Sequence, residues 1–155
     1  MNIKNLPKKL WQWIDAAEVD ALAVADDPAY ILNMDVWHLP DDAVCHVCLA
    51  GAVMARTLQV PKHYSAGVAH VPFKIMRALV AIDSLRALDF TGCLDSFYPD
   101  GHSVPDVVES GVQGLQYESR GIEPLEGEVS KDDIKKFFAH PTIVQFRAIL
   151  KQYGL

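Results

Sequence analysis

The sequence predicts a mainly α protein: one compact helical domain of five or six helices, interrupted by one irregular, Gly/Pro-rich acidic segment with room for a small hairpin. Three observations predict it. Apolar residues recur at three- and four-residue spacing in several separate windows, the period of a helix with one buried face. A capping side chain or a proline stands ahead of most of those windows. The 155 residues, half of them hydrophobic and 22% charged, match the usual size and balance of a single folded domain, so residues 1–155 are expected to share one core.

The first helix is expected from Pro7 to about Glu18, with Asn5 as cap and Leu10, Trp13, Ile14 and Ala17 on one face. Trp11 falls off that stripe. Asp27 followed by Pro28 is a helix-start pair and predicts a short helix over Pro28 to Asn33. A third helix is expected to begin near Cys45 to Cys48 and run to Leu58, before Pro61. Its small residues Cys48, Ala50, Gly51, Ala52 and Ala55 let neighbouring backbones approach closely, which places it centrally in the core. Pro72 opens the most regular pattern, with Ile75, Met76, Leu79, Ile82 and Leu85 along one face and an end near Asp89 or Phe90.

From 91 to 129 the texture changes: Gly92, Pro99, Gly101, Pro105, Gly111, Gly114, Gly121, Pro124 and Gly127 punctuate the chain, and no sustained helix is expected. Turns are expected instead, with "VVES" and "LQYES" as strand candidates. Ser130 with Asp133 reads as a capping box for a helix burying Ile134, Phe137 and Phe138. Pro141 starts a last helix, with Ile143, Phe146, Ile149, Leu150 and Tyr153 in register and Gly154 closing it.

Net charge is −6, unevenly spread. Residues 1–50 carry three basic against eight acidic side chains and residues 91–129 one against eight, while 51–90 and 130–155 each carry five against two. No run of Lys and Arg offers the surface that neutralises phosphates, so nucleic acid is not the expected partner. The longest apolar run, Val47 to Ala55, is far shorter than the roughly 20 residues of a membrane span. The basic N-terminal stretch is followed by no apolar signal region, so a cytoplasmic location is expected. Three cysteines, an odd number, point to reduced thiols or a metal site in place of a disulfide framework.

The chemistry concentrates in "WHLPDDAVCHVCLAG", Trp37 to Gly51. Zinc takes thiolate and imidazole ligands in a tetrahedron, and Cys45 and Cys48 have the C-x-x-C spacing that supplies two thiolates from one turn. His38 could fold back as a third ligand, with Cys93, His63, His70, His102 or His140 as a fourth. The competing reading is packing, since free cysteine behaves as a small hydrophobe and is often fully buried. A nucleophilic cysteine at a helix N-terminus, with His38 or His46 as base, lacks an orienting third group. Asp95, Asp100, His102 and Asp106 carry oxygen and nitrogen donors, but Pro99-Asp100-Gly101 is an ordinary turn signature. His140 before Pro141 reads as a connector. No phosphate-cradling glycine loop, G-x-S-x-G or H-E-x-x-H occurs.

The Trp37-His38 pair, the Cys45-x-x-Cys48 spacing and the Leu49-Ala50-Gly51 run resemble a segment of small uncharacterised bacteriophage and prophage proteins. The resemblance covers about Ala29 to Leu58 and carries over Trp37, His38, Cys45, Cys48 and Gly51 as the shared pattern. It implies a phage or prophage protein in the host cytoplasm that acts by binding a host or viral protein. The leading functional expectation is therefore a non-enzymatic accessory protein of that kind, needing no cofactor. The alternative is a zinc-binding protein, a small hydrolase or a zinc-stapled module, using His38, Cys45 and Cys48. A homo-oligomeric structural component, resting on the apolar last helix and Trp11, is the third.

Overall fold

The computed structural model describes residues 3–66, 70–118 and 123–155. Among them are seven helices and one three-stranded sheet, so the chain is mainly α with a sheet added. No helix among the described residues is long and apolar enough to cross a membrane.

Helix α1, Leu10–Ala25, buries Leu10, Trp13, Ile14, Ala17, Ala21 and Val24. It extends well beyond Glu18 because "VDALAVA" continues both the apolar stripe and the strong helix formers. Asn5 is not its cap: that residue turns the chain with φ 59°. The Gln12 side chain instead accepts from the Lys8 and Lys9 amides. The Leu155 oxygen accepts from the Leu10 and Trp11 amides at 2.6 and 3.4 Å and from the Tyr98 hydroxyl at 2.8 Å. Trp11 is half-buried, with the Lys151 ammonium 5.2 Å from its ring centre.

The helix expected over Pro28 to Asn33 is a strand, β1, Tyr30–Leu32. Asp27 does start a turn, accepting from the Ala29 amide at 2.9 Å. The aromatic and β-branched Tyr30 and Ile31 then prefer a pleated, paired surface, and a partner is at hand. β1 lies parallel to β3, Cys45–Val47, and β2, His38–Pro40, lies antiparallel to it on the other side. Pro40 is tolerated because β2 is an edge. Cys45 to Val47 is thus strand, not helix start. Helix α2, Leu49–Ala55, begins only after Cys48, and six of its seven residues are buried.

Helix α3 runs Phe73–Arg86 and ends short of the expected Asp89 or Phe90, because Leu88 turns the chain at φ 62° and Asp89 caps the following helix. The segment 91–129 is where the expectation fails, since it holds most of α4, Phe90–Phe97, and all of α5, Asp106–Glu118. Two of its helix breakers are helix-start residues. Asp89 caps α4 by accepting from the Gly92 amide at 2.9 Å, and a Cβ on Gly92 would sit 2.1 Å from that carboxylate. The Pro105 carbonyl accepts the first bonds of α5. Gly111 and Gly114 each cost up to about 1 kcal/mol in a helix, and burial of Val108, Val112 and Leu115 offsets them. Both "VVES" and the described part of "LQYES" lie inside α5; Ser119 and Gly121 fall outside the described residues. No hairpin forms in the described part of the segment. Its end is extended: Leu125 pairs with the Arg86 carbonyl, and the Met34 amide donates to Gly127.

Helix α6, Lys131–Ala139, carries the expected box. The Asp133 amide donates to Ser130 Oγ and the Ser130 amide to the Asp133 carboxylate. Helix α7, Pro141–Gln152, is capped by His140 Nδ1, which accepts from the Thr142 amide, and Gly154 follows it with φ 69°. Phe146 of α7 stacks on Phe90 in a core shared by every helix, and Arg147 ties α7 to Asp15 and Glu18 of α1.

Candidate functional site

The five residues of the shared pattern meet in one buried knot where β2, β3 and α2 join. Cys48 extends the backbone after β3, and its amide donates to the Trp37 carbonyl at 3.2 Å. That carbonyl sits where a side chain on residue 51 would start: a Cβ on Gly51 would be 1.5 Å from it. Glycine is required by this approach, and not by any turn. Cys48 Sγ caps α2, accepting from the Gly51 amide at 3.4 Å.

His38, 1% exposed, ties down the loop after α2 twice. Its ring Nδ1 donates to the Tyr64 carbonyl at 2.5 Å, and its own carbonyl accepts from the Ala66 amide at 3.0 Å. Cys45 Sγ lies 3.7 Å from both ring nitrogens. A sulfur equidistant from the two lies beside the ring, off the lone-pair direction of either.

The structure therefore brings His38 and Cys45 together and directs Cys48 elsewhere, to the α2 cap. Strand alternation turns His46 to the face opposite Cys45, where Nε2 reaches Asp41 at 3.7 Å. Of the other expected ligands, His63 meets Tyr64 edge-on, His140 caps α7, Cys93 is buried in α4, and His70 and His102 are exposed. Among the described residues no three His, Cys, Asp or Glu side chains are grouped so as to hold a metal. Pro99-Asp100-Gly101 forms the expected turn, with Gly101 at φ 67° and the Ser103 hydroxyl on Asp100.

Burial governs the electrostatics of the knot. It pushes the Cys45 thiol up despite nearby Lys62 and the Cys48 thiol to about 11, and it raises Cys93 further still. Any lowering of the Cys48 thiol by the α2 N-terminus is outweighed by desolvation. Burial lowers the pKa of His38, with the Tyr64 carbonyl opposing. At neutral pH the pair is a thiol beside a neutral imidazole, which is poor nucleophilic chemistry. All three thiols are expected to resist an aromatic disulfide reagent at pH 8 in the native protein and to react together in urea. Rapid native labelling of Cys45 or Cys48 would show that the knot opens.

A second arrangement lies on the surface. Two adjoining grooves, of about 490 and 370 Å³, share Lys8, Lys74 and Phe97 in their walls. The first is floored by Leu6, Trp13 and Ile75. The second adds Arg77, Tyr98 and Asp100. Arg86, Lys131, Arg147 and Lys151 each meet a carboxylate, whereas Lys8, Lys74 and Arg77, like Lys9, Lys62 and Lys135 elsewhere, form no ion pair among the described residues. The sequence hid this groove because its cations come from the turn before α1 and from the polar side of α3, each an ordinary solvated face when read alone. Lys74 and Arg77 at one-turn spacing in the first turns of α3, where cations oppose the helix dipole, were the available signal. Comparison with protein-family models, curated proteins and solved structures finds no match for this chain.

Proposed function

We propose that this chain is a non-enzymatic phage or prophage accessory protein that binds a host or viral protein, and that the Lys8/Lys74/Arg77/Phe97 groove is the surface it uses. The observation that carries the reading is a division of labour between the two arrangements. The thiols and imidazole that could perform covalent chemistry are sealed in the core, while unpaired cations and half-buried aromatics converge on one open groove. Buried aromatic and arginine anchors are the groups that dominate protein interfaces. The resemblance over Ala29 to Leu58 supplies the phage context.

The test is comparative capture from host and phage-infected lysates. The wild type is expected to retain a partner that the K74E/R77E variant loses and an E126K variant keeps, Glu126 being exposed away from the groove. Equal capture by K74E/R77E moves the binding surface elsewhere.

A further inference from the structure

We infer that the groove takes an extended acidic peptide segment of the partner: one large apolar side chain enters the compartment floored by Leu6, Trp13, Ile75 and Phe97, and neighbouring carboxylates pair with Lys74 and Arg77. The inference rests on the binding reading above and names the chemistry of what is bound.

The first argument is sign. In a chain with six more acidic than basic side chains, the groove walls carry three cations against one carboxylate, Asp100, which already accepts from Ser103. The second is the local helix end. α3 has no acidic residue in its first turn and no side-chain cap at Pro72, yet it places Lys74 there. A cation at a helix N-terminus opposes the dipole and costs stability. Choices that work against the fold mark sites kept for another purpose, and a bound carboxylate would reverse this one.

The third argument is order. Arg77 lies over the Phe73 ring, 4.5 Å from its centre, which biases its guanidinium toward one position before any ligand arrives. A planar fork so biased binds carboxylate in two parallel bonds and loses less side-chain freedom on binding. The fourth is the union of the two compartments. Trp13 and Ile75 are almost fully buried and form an apolar floor beside the cations. Nucleic acid would need cations tracking a backbone and aromatic platforms for its bases. Here Lys8 and Lys74 stand in the walls of both compartments and Arg77 in the second alone, so the cations border one apolar compartment, as a peptide with one anchor side chain and adjacent acids requires.

The experiment is fluorescence anisotropy of the full chain with three fluorescein-labelled decapeptides: one with a central Phe flanked by Asp and Glu, one with Ala for Phe, and one with Lys for each acid. The acidic Phe peptide is expected to bind saturably, at least about tenfold more tightly than the Ala peptide, and to weaken strongly between low and high salt. The Lys peptide should not bind. K74E/R77E should abolish binding without lowering the urea midpoint, because Lys74 is exposed, Arg77 half-exposed, and a carboxylate at position 74 suits the start of α3.

Equal binding by the Lys peptide, or acidic binding that survives K74E/R77E, overturns the inference. So does displacement of the peptide by inorganic phosphate or an oligonucleotide at matching concentration, or light scattering that shows a second copy filling the groove. If all peptides fail while K74E/R77E still loses the captured partner, the acidic chemistry is wrong and the groove reading stands. If capture is also unaffected, both fall.

Discussion

Alanine at Gly51 is expected to lower the free energy of unfolding by about 3–5 kcal/mol, the range of a severe core insertion. The added methyl would fall 1.5 Å from the Trp37 carbonyl oxygen and 3.0 Å from Val47 Cβ. Nothing flexible lies in the way: the obstacle is backbone on one side and sheet on the other. Relief requires the Trp37 carbonyl to withdraw, which breaks its bond from the Cys48 amide and loosens the junction of β2 with α2. The comparison that isolates this effect is Gly114→Ala. That position has no heavy atom within 4 Å of its Cβ and lies in the interior of α5. The same substitution there should stabilise by about 0.5–1 kcal/mol through helix propensity and reduced freedom of the unfolded chain. Urea unfolding of the two variants should shift in opposite directions, and a mild Gly51→Ala would mean that the knot has slack.

His38→Ala should cost about 2–4 kcal/mol, combining a buried cavity with an unsatisfied Tyr64 carbonyl. His38→Asn should recover part of this, because its amide can donate where ring Nδ1 does. The pH dependence arises from the lowered pKa of His38. In the unfolded chain the imidazole takes up its proton near pH 6.5, whereas the folded protein resists doing so until lower pH. Between those two values the unfolded state binds more protons, so stability falls as pH drops. His38 thus contributes fully above about pH 6.5, and its contribution is lost through the acid side of that value down to its folded pKa. Urea midpoints measured from pH 5 to 8 should fall toward acid more steeply in the wild type than in His38→Asn. Parallel curves would show that His38 does not carry the effect.

What could be read from the sequence was whatever is decided within a turn or two. The stripe of α3, the Ser130/Asp133 box and the Pro141 start all depend on neighbours three or four residues away, and they stand as expected. The central position of the small-residue helix was also legible, since four of its residues left too little bulk for an outer helix. Its reason was not: Gly51 answers to a carbonyl fourteen positions earlier, and no local rule encodes that approach. Tyr30 to Leu32 misled because Asp27-Pro28 does start a turn, and only pairing with the distant Cys45 to Val47 draws the residues after that turn into a strand. Between 91 and 129 the glycines and prolines were counted as breakers when several of them begin helices or are carried by apolar neighbours. The Cys/His cluster could be singled out from its composition alone. Whether its members faced one another was a question of strand alternation and of the competing α2 cap.

The Leu155 oxygen on the first amides of α1 means that this helix, near one end of the sequence, is completed by residues near the other. A ribosome emitting the chain exposes the apolar face of α1 long before Gly154 and Leu155 exist to seat its first turn. The Leu10 amide should therefore gain its protection from solvent exchange only once Leu155 has docked, and lose it whenever that segment lifts away. That amide reports the joining of two segments far apart in sequence.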